Sequence, residues 1–169
     1  MNNDIIKLSE SDRNLFYLSN DTTGRDIPIL LSKDNLVQFI KDFDYVSSVE
    51  LVRRFDCKGD RCIGFPENNH VILFYGFNEI ASKMIVELIN EKKVFFQPAS
   101  QLSYLADGGL MNLPIAKGKD MKKYKTDHWL PCTIRVQEHY EKALKDLKKK
   151  EPKSFNNEIF LFNNEVKNG

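Results

Sequence analysis

The amino-acid sequence predicts an α+β fold: a mixed, largely antiparallel sheet with about four helices, at least one face of the sheet covered by helices. Three observations carry this. Apolar residues recur at helical spacing in separate stretches of the chain. Short runs rich in aromatic and β-branched residues lie between those stretches. Two segments, "PILLSKDNLVQFIKDF" and "VILFYGFNEIASKMIVELI", both read strand, short turn, helix, so part of the sheet is expected to be parallel.

In chain order, "NLFYLSN" (14–20) and "IPILL" (27–31) flank the turn-forming "DTTGRD" and predict a hairpin-like pair. Pro28 places the second run at an edge, where a missing N–H costs little. Residues 32–43 predict a helix, with Leu36, Phe39, Ile40 and Phe43 on one side and Ser32 as N-cap. A shorter helix is expected at 47–55, where Ser47 and Glu50 have the form of a capping box. Residues 57–69 carry Gly59, Gly64, Pro66 and two asparagines and read as a loop. "HVILFY" (70–75) reads as a strand buried on both faces. The widest apolar stripe in the chain runs from Phe77 through Ile80, Ala81, Met84, Ile85, Leu88 and Ile89, predicting a helix over 77–93 capped by Asn78. "VFFQP" (94–98) is a strand, and "LSYLA" (102–106) with "LMNLPIA" (110–116) predicts a hairpin around Asp107-Gly108. "HWLPCTIRV" (128–136) predicts one strand. Residues 137–150 predict a helix with Tyr140, Ala143, Leu144 and Leu147 along one face.

A chain of 169 residues is one domain's worth. The expected division is a single α+β domain over 1–150 and a polar C-terminal extension over 151–169, with a short strand at 158–162, "EIFLF". Hydrophobic residues make up 41 % and charged residues 29 %, enough apolar material for a core and against disorder throughout. The start, "MNNDIIKLSESD", has no basic stretch followed by an apolar one, so no secretory leader is expected. The longest apolar run, Val71–Tyr75, is too short to cross a membrane. Three cysteines, an odd number, argue against a disulfide framework and for the reducing cytoplasm.

The net charge of +1 leaves no global field to draw in polyanions, so any such binding must rest on a local patch. Phosphate-cradling glycine loops, H-E-x-x-H, G-x-S-x-G and G-x-G-x-x-G are all missing from the sequence, which turns the reading away from an enzyme and leaves no cofactor expected. What stands out instead is "KGKDMKKYKTDHWLPCTIRV" (117–136). Residues 113–135 hold six Lys/Arg against two Asp, with Tyr124, His128 and Trp129 interleaved. Ammonium groups on a loop neutralise phosphates, and neighbouring aromatic rings stack on unpaired bases. Lys117, Lys119, Lys122, Lys123 and Lys125 are therefore the expected phosphate contacts, Tyr124 and Trp129 the expected stacking groups, and Arg53 and Arg54 a second basic stretch joined to them by the fold. This predicts a non-enzymatic DNA- or RNA-binding or regulatory protein.

Two other readings compete. The helix at 137–150 and the 158–162 segment suit a protein-interaction module or a homo-oligomer. His128, supported by Asp107 or Asp127, suits a small enzyme. Cys57, Cys62, His128 and Cys132 have the chemistry of a tetrahedral zinc site, but the C-x2-C spacing such sites usually show is missing, and Cys132 sits in an apolar run where cysteine acts as a small hydrophobe.

Overall fold

Helix starts follow the caps. In the computed structural model, which describes residues 5–7, 16–17 and 28–150, α1 (Lys33–Phe43) begins where Ser32 Oγ accepts the Asn35 N–H at 3.2 Å. α2 (Ser48–Phe55) begins where Ser47 Oγ accepts the Glu50 N–H at 3.2 Å, and α3 (Glu79–Asn90) where Asn78 Oδ1 accepts the Ala81 N–H at 2.9 Å. The expected helix over 77–93 starts later than its apolar stripe because Phe77 ends a strand instead. Two further helices are α4 (Gln101–Ala106) and α5 (Tyr140–Lys150), the latter entered through a 3-10 turn at Gln137–His139.

The strands are β1 (Ile5–Lys7), β2 (Phe16–Tyr17), β3 (Lys58–Phe65), β4 (Asn68–Phe77), β5 (Val94–Pro98), β6 (Gly109–Leu110), β7 (His128–Trp129) and β8 (Cys132–Val136). The main sheet has the order β1-β3-β4-β7; its first two pairings are antiparallel and β4–β7 is parallel. Two antiparallel pairs stand apart from it, β2–β6 and β5–β8. The fold is α+β with a mixed, mostly antiparallel sheet. β4 is buried continuously over Val71–Phe77, as its unbroken apolar run predicts. Its side chains divide between two cores. Val71, Leu73, Phe74 and Phe77 join residues of α1, α2 and α3 in the larger one, while Ile72 and Tyr75 join Val49, Cys62, Tyr104, Met111 and Trp129 in the smaller. Among the described residues no helix is long and apolar enough to cross a membrane.

Four local expectations are corrected. Residues 57–69 are not a loop. β3 and β4 form a hairpin closed by Pro66 and Glu67, and the glycines serve close approach and register shifts within the ladder. A Cβ added at Gly59 would lie 2.4 Å from the Phe77 carbonyl oxygen and 2.5 Å from Asn78 Cα, both backbone. Gly59→Ala is therefore expected to lower stability by about 1–3 kcal/mol, the usual cost of overpacking, read as a lower urea midpoint.

The second correction concerns the N-terminal runs. Phe16–Tyr17 pairs with Gly109–Leu110 and not with 27–31, whose described residues form no strand; Ile29 donates its N–H to the Arg54 carbonyl at 2.8 Å. The parallel pairing of the sheet is therefore β4 with β7, not one between the two repeated units. Third, 102–106 is helical. Ser100 caps α4 through the Leu102 N–H at 3.2 Å, and β5 finds its partner in β8. Fourth, 128–136 is two strands in two sheets. Pro131 has no N–H to continue a ladder. Leu130 still bonds Ile72 at 2.9 Å, but Pro131 turns its carbonyl to Ala99 at 2.8 Å and the chain crosses to β5. The 158–162 segment lies outside the described residues.

Candidate functional site

The lysine segment is anchored, not loose. Its entry lies beside β7 through paired bonds, Ala116 N–H to Trp129 O and Trp129 N–H to Pro114 O, both 2.8 Å. A 3-10 turn at Gly118–Asp120 then drops Met121 into the core, 1 % exposed. Asn68, at the hairpin tip, donates its side-chain amide to the Met121 and Tyr124 carbonyls at 2.8 and 3.0 Å. Tyr124 Oη accepts the Lys117 N–H at 2.8 Å and closes the segment on itself.

This scaffold leaves Lys117, Lys122, Lys123 and Lys125 exposed. Lys122 pairs with Glu67 and Lys123 with Asp120, the latter at 3.4 Å. Exposed pairs of this kind are worth only about 0–1 kcal/mol, so a phosphate can replace the carboxylate at little cost. The Tyr124 ring lies on the His128 ring with centroids 3.8 Å apart and planes at 25°. His128 donates from Nδ1 to the Thr126 carbonyl at 2.7 Å. A residue that composition alone leaves unremarked also belongs here: His70 Nδ1 donates to Asp127 Oδ1 at 2.8 Å, because parallel pairing sets residue 70 beside 127.

Three expected members do not join this face. Trp129 is 0 % exposed, its ring packed edge-on against Tyr104 and Tyr75 at 4.8 and 5.9 Å, so it is core and no stacking platform. Arg53 and Arg54 sit in the last turn of α2, and the next residues lead to Cys57, whose carbonyl accepts the Asn78 N–H just beyond the C-terminal end of β4. The lysine segment sits at the other end, beside Asn68. The two basic stretches are thus held toward different ends of β4. Arg53 instead donates to the Asp107 carbonyl at 2.5 Å, and the Arg54 guanidinium lies 5.7 Å from the centroid of the Phe39 ring.

Neither alternative chemistry is assembled. Asp127 supports His70 rather than His128, and Asp107 lies beside Arg53, so the acid–base pairing expected at His128 does not form. Cys57 and Cys132 lie in the larger core and Cys62 in the smaller; among the described residues no group of three or more His, Cys, Asp or Glu is placed to hold a metal ion. Burial pushes the Cys57 thiol up to about 11 and the Cys62 thiol up to about 12, and raises Cys132 further still. None of the three is expected to react with a disulfide reagent at pH 8 in the native protein, and all three are expected to react at once in denaturant; a fast native thiol would contradict this burial. Part of the apolar face of α5 is used internally: Tyr140 meets Phe95 edge-on at 5.3 Å and Ala143 is fully buried.

Comparison with protein-family models, with curated proteins and with solved structures finds no match to this chain.

Proposed function

We propose that this chain is a non-enzymatic nucleic-acid-binding or regulatory protein that contacts phosphates through residues 117–125. The observation that carries the reading is the anchoring of that segment. Met121 is buried and Asn68 and Tyr124 bond the segment's backbone, while Lys117, Lys122, Lys123 and Lys125 face solvent. A fixed cluster of cations loses less entropy on meeting a backbone than a free loop does. With Trp129 in the core and Arg53 and Arg54 elsewhere, the face is small, so the affinity is weak and strongly dependent on salt.

The test is anisotropy of a labelled single-stranded oligonucleotide over a potassium chloride series. Each lysine–phosphate contact contributes about 0.7 to the slope of log K against log salt. Changing Lys117, Lys119, Lys122, Lys123 and Lys125 together to Gln is expected to weaken binding at low salt by more than tenfold and to flatten the slope by roughly three units. An unchanged slope would remove the segment from any account of binding.

A second reading, a protein-interaction module or homo-oligomer, draws on Leu102 and Leu105. They are 71 % and 44 % exposed and three residues apart on α4, hence on one side of it. Light scattering of the wild type and of Leu102→Lys separates the two: a concentration-dependent dimer lost in that variant, with no oligonucleotide binding, favours the second.

A further inference from the structure

Away from the lysine segment, the side chain of Arg135 on β8 is 1 % exposed, an unusual place for a guanidinium. It is held by a fork-to-fork pair: Nε donates to Asp44 Oδ1 at 2.7 Å and Nη2 to Asp44 Oδ2 at 2.6 Å. Nη1 donates to Gln97 Oε1 at 3.0 Å. The Tyr45 ring covers the guanidinium at 3.9 Å, with the Phe95 ring 6.0 Å away. His139 Nδ1 stands 3.3 Å from Asp44 Oδ2.

The carboxylate reaches this position only through unfavourable backbone. Asp44 has φ 48° and ψ 158°, and Tyr45 has φ 49°. Both are in the half of conformational space that favours glycine, and the Asp44 combination is one that side chains with a Cβ rarely adopt. A core does not need this. Apolar residues of similar volume commonly replace a buried ion pair without loss of stability.

The strained corner lies between two fixed points. On one side is Ile40 of α1, fully buried, whose carbonyl accepts the Asp44 N–H at 3.0 Å. On the other is Val46, which exchanges bonds with Ile134 of β8 at 3.2 and 2.8 Å. With both points in place, rotation about the side-chain torsions of Asp44 and Tyr45 lifts carboxylate and ring and uncovers Arg135 between Gln97 and Phe95. Phe43 and Tyr45, 58 % and 49 % exposed, present apolar surface on either side of Asp44 in the chain.

We propose that Arg135 is a binding site for a small carboxylate bearing an apolar group, and that Asp44 is the chain's own stand-in, displaced when the side chains of Asp44 and Tyr45 swing out. The guanidinium fork takes the two oxygens as it now takes those of Asp44, Gln97 keeps its place on Nη1, and the apolar group takes the place that the Tyr45 ring leaves.

Benzoate is the probe, titrated into the full chain with the Tyr45 ring resonances followed by NMR. The wild type is expected to show a saturable Tyr45 shift that neutral benzamide does not produce. Asp44→Gly removes the internal competitor and the strain together, and is expected to bind benzoate at least tenfold more tightly. Adding Arg135→Met to Asp44→Gly is expected to abolish the response. If Asp44→Gly fails to fold, Asp44→Asn takes its place, with tighter benzoate binding again expected. The proposal is overturned if the wild-type Tyr45 signal stays fixed up to the highest benzoate concentration the fold tolerates, or if binding survives the loss of the guanidinium.

Discussion

Trp129→Ala is expected to lower the unfolding free energy by about 3–5 kcal/mol, the range for truncating a large aromatic residue in a packed core. The indole is fully buried among Tyr75, Tyr104, Ile72, Cys62 and Met111, on the two-residue strand that closes one edge of the main sheet. Its loss opens a cavity where two aromatic edges meet. Trp129→Phe is expected to cost clearly less. It keeps most of the ring contact and removes an indole N–H that has no hydrogen-bond partner among the described residues. Urea denaturation of the two variants gives the comparison. It also bears on function: wherever Trp129→Phe folds, oligonucleotide affinity should match the wild type. A specific loss of affinity in that folded variant would return the tryptophan to the binding face.

Asp44→Ala is expected to cost about 3–5 kcal/mol, because it strands the Arg135 guanidinium in the interior while leaving alanine in a backbone conformation it resists. Arg135→Met should cost less. The Asp44 side chain keeps 26 % of its surface exposed and can be hydrated, whereas Arg135 keeps 1 %. Combining the two changes should therefore be milder than the sum of the singles, and the double-mutant cycle reads the coupling directly. Strict additivity would mean that the pair is not coupled as its geometry implies.

The same pair sets an acid limit. Burial pushes the Asp44 carboxyl up, but the hydrogen bonds from Arg135 and the Tyr45 N–H, with the Arg135 and His139 charges, hold it below the ordinary aspartate value. A carboxyl depressed in the folded state adds stability that is fully present above its unfolded value, near 3.9, and is lost as pH falls through the folded one. The stability gap between wild type and Asp44→Asn should accordingly narrow as pH drops below about 4.

Reading the chain alone succeeds where a residue's role depends on its near neighbours. Ser32, Ser47 and Asn78 cap three helices because a side-chain oxygen three residues before a free N–H can reach it in any context. Val71–Tyr75 is buried on both faces because so unbroken an apolar run has no side to offer water. It fails where long-range pairing overrides local signals. Gly59 and Gly64 look like loop residues, yet both lie in β3: Gly59 lets its backbone approach β4 and Asn78, and Gly64 sits where the ladder's register shifts. Leu102–Ala106 looks like half a hairpin, yet β5 already has β8, and a capped turn of helix takes the leftover segment.

The candidate site divides in the same way. The charge and the lysine spacing of 117–125 are properties of the segment itself, and their exposure comes from hydration of ammonium groups. Whether Arg53 and Arg54 stand beside them depends on which end of β4 each reaches, and no local pattern encodes that. Trp129 reads as a loop-edge aromatic until the break at Pro131 sets it under Tyr104. The Asp44–Arg135 pair spans 91 residues of chain and carries no sequence signature at all. Local pattern thus specified an α+β chain with three of its helix starts, its central strand and one basic segment. Folding alone settled which cations share a face and which charged groups are buried, because hydrogen-bond partners in a sheet and ion pairs in a core are chosen by distance in space, to which distance along the chain is no guide.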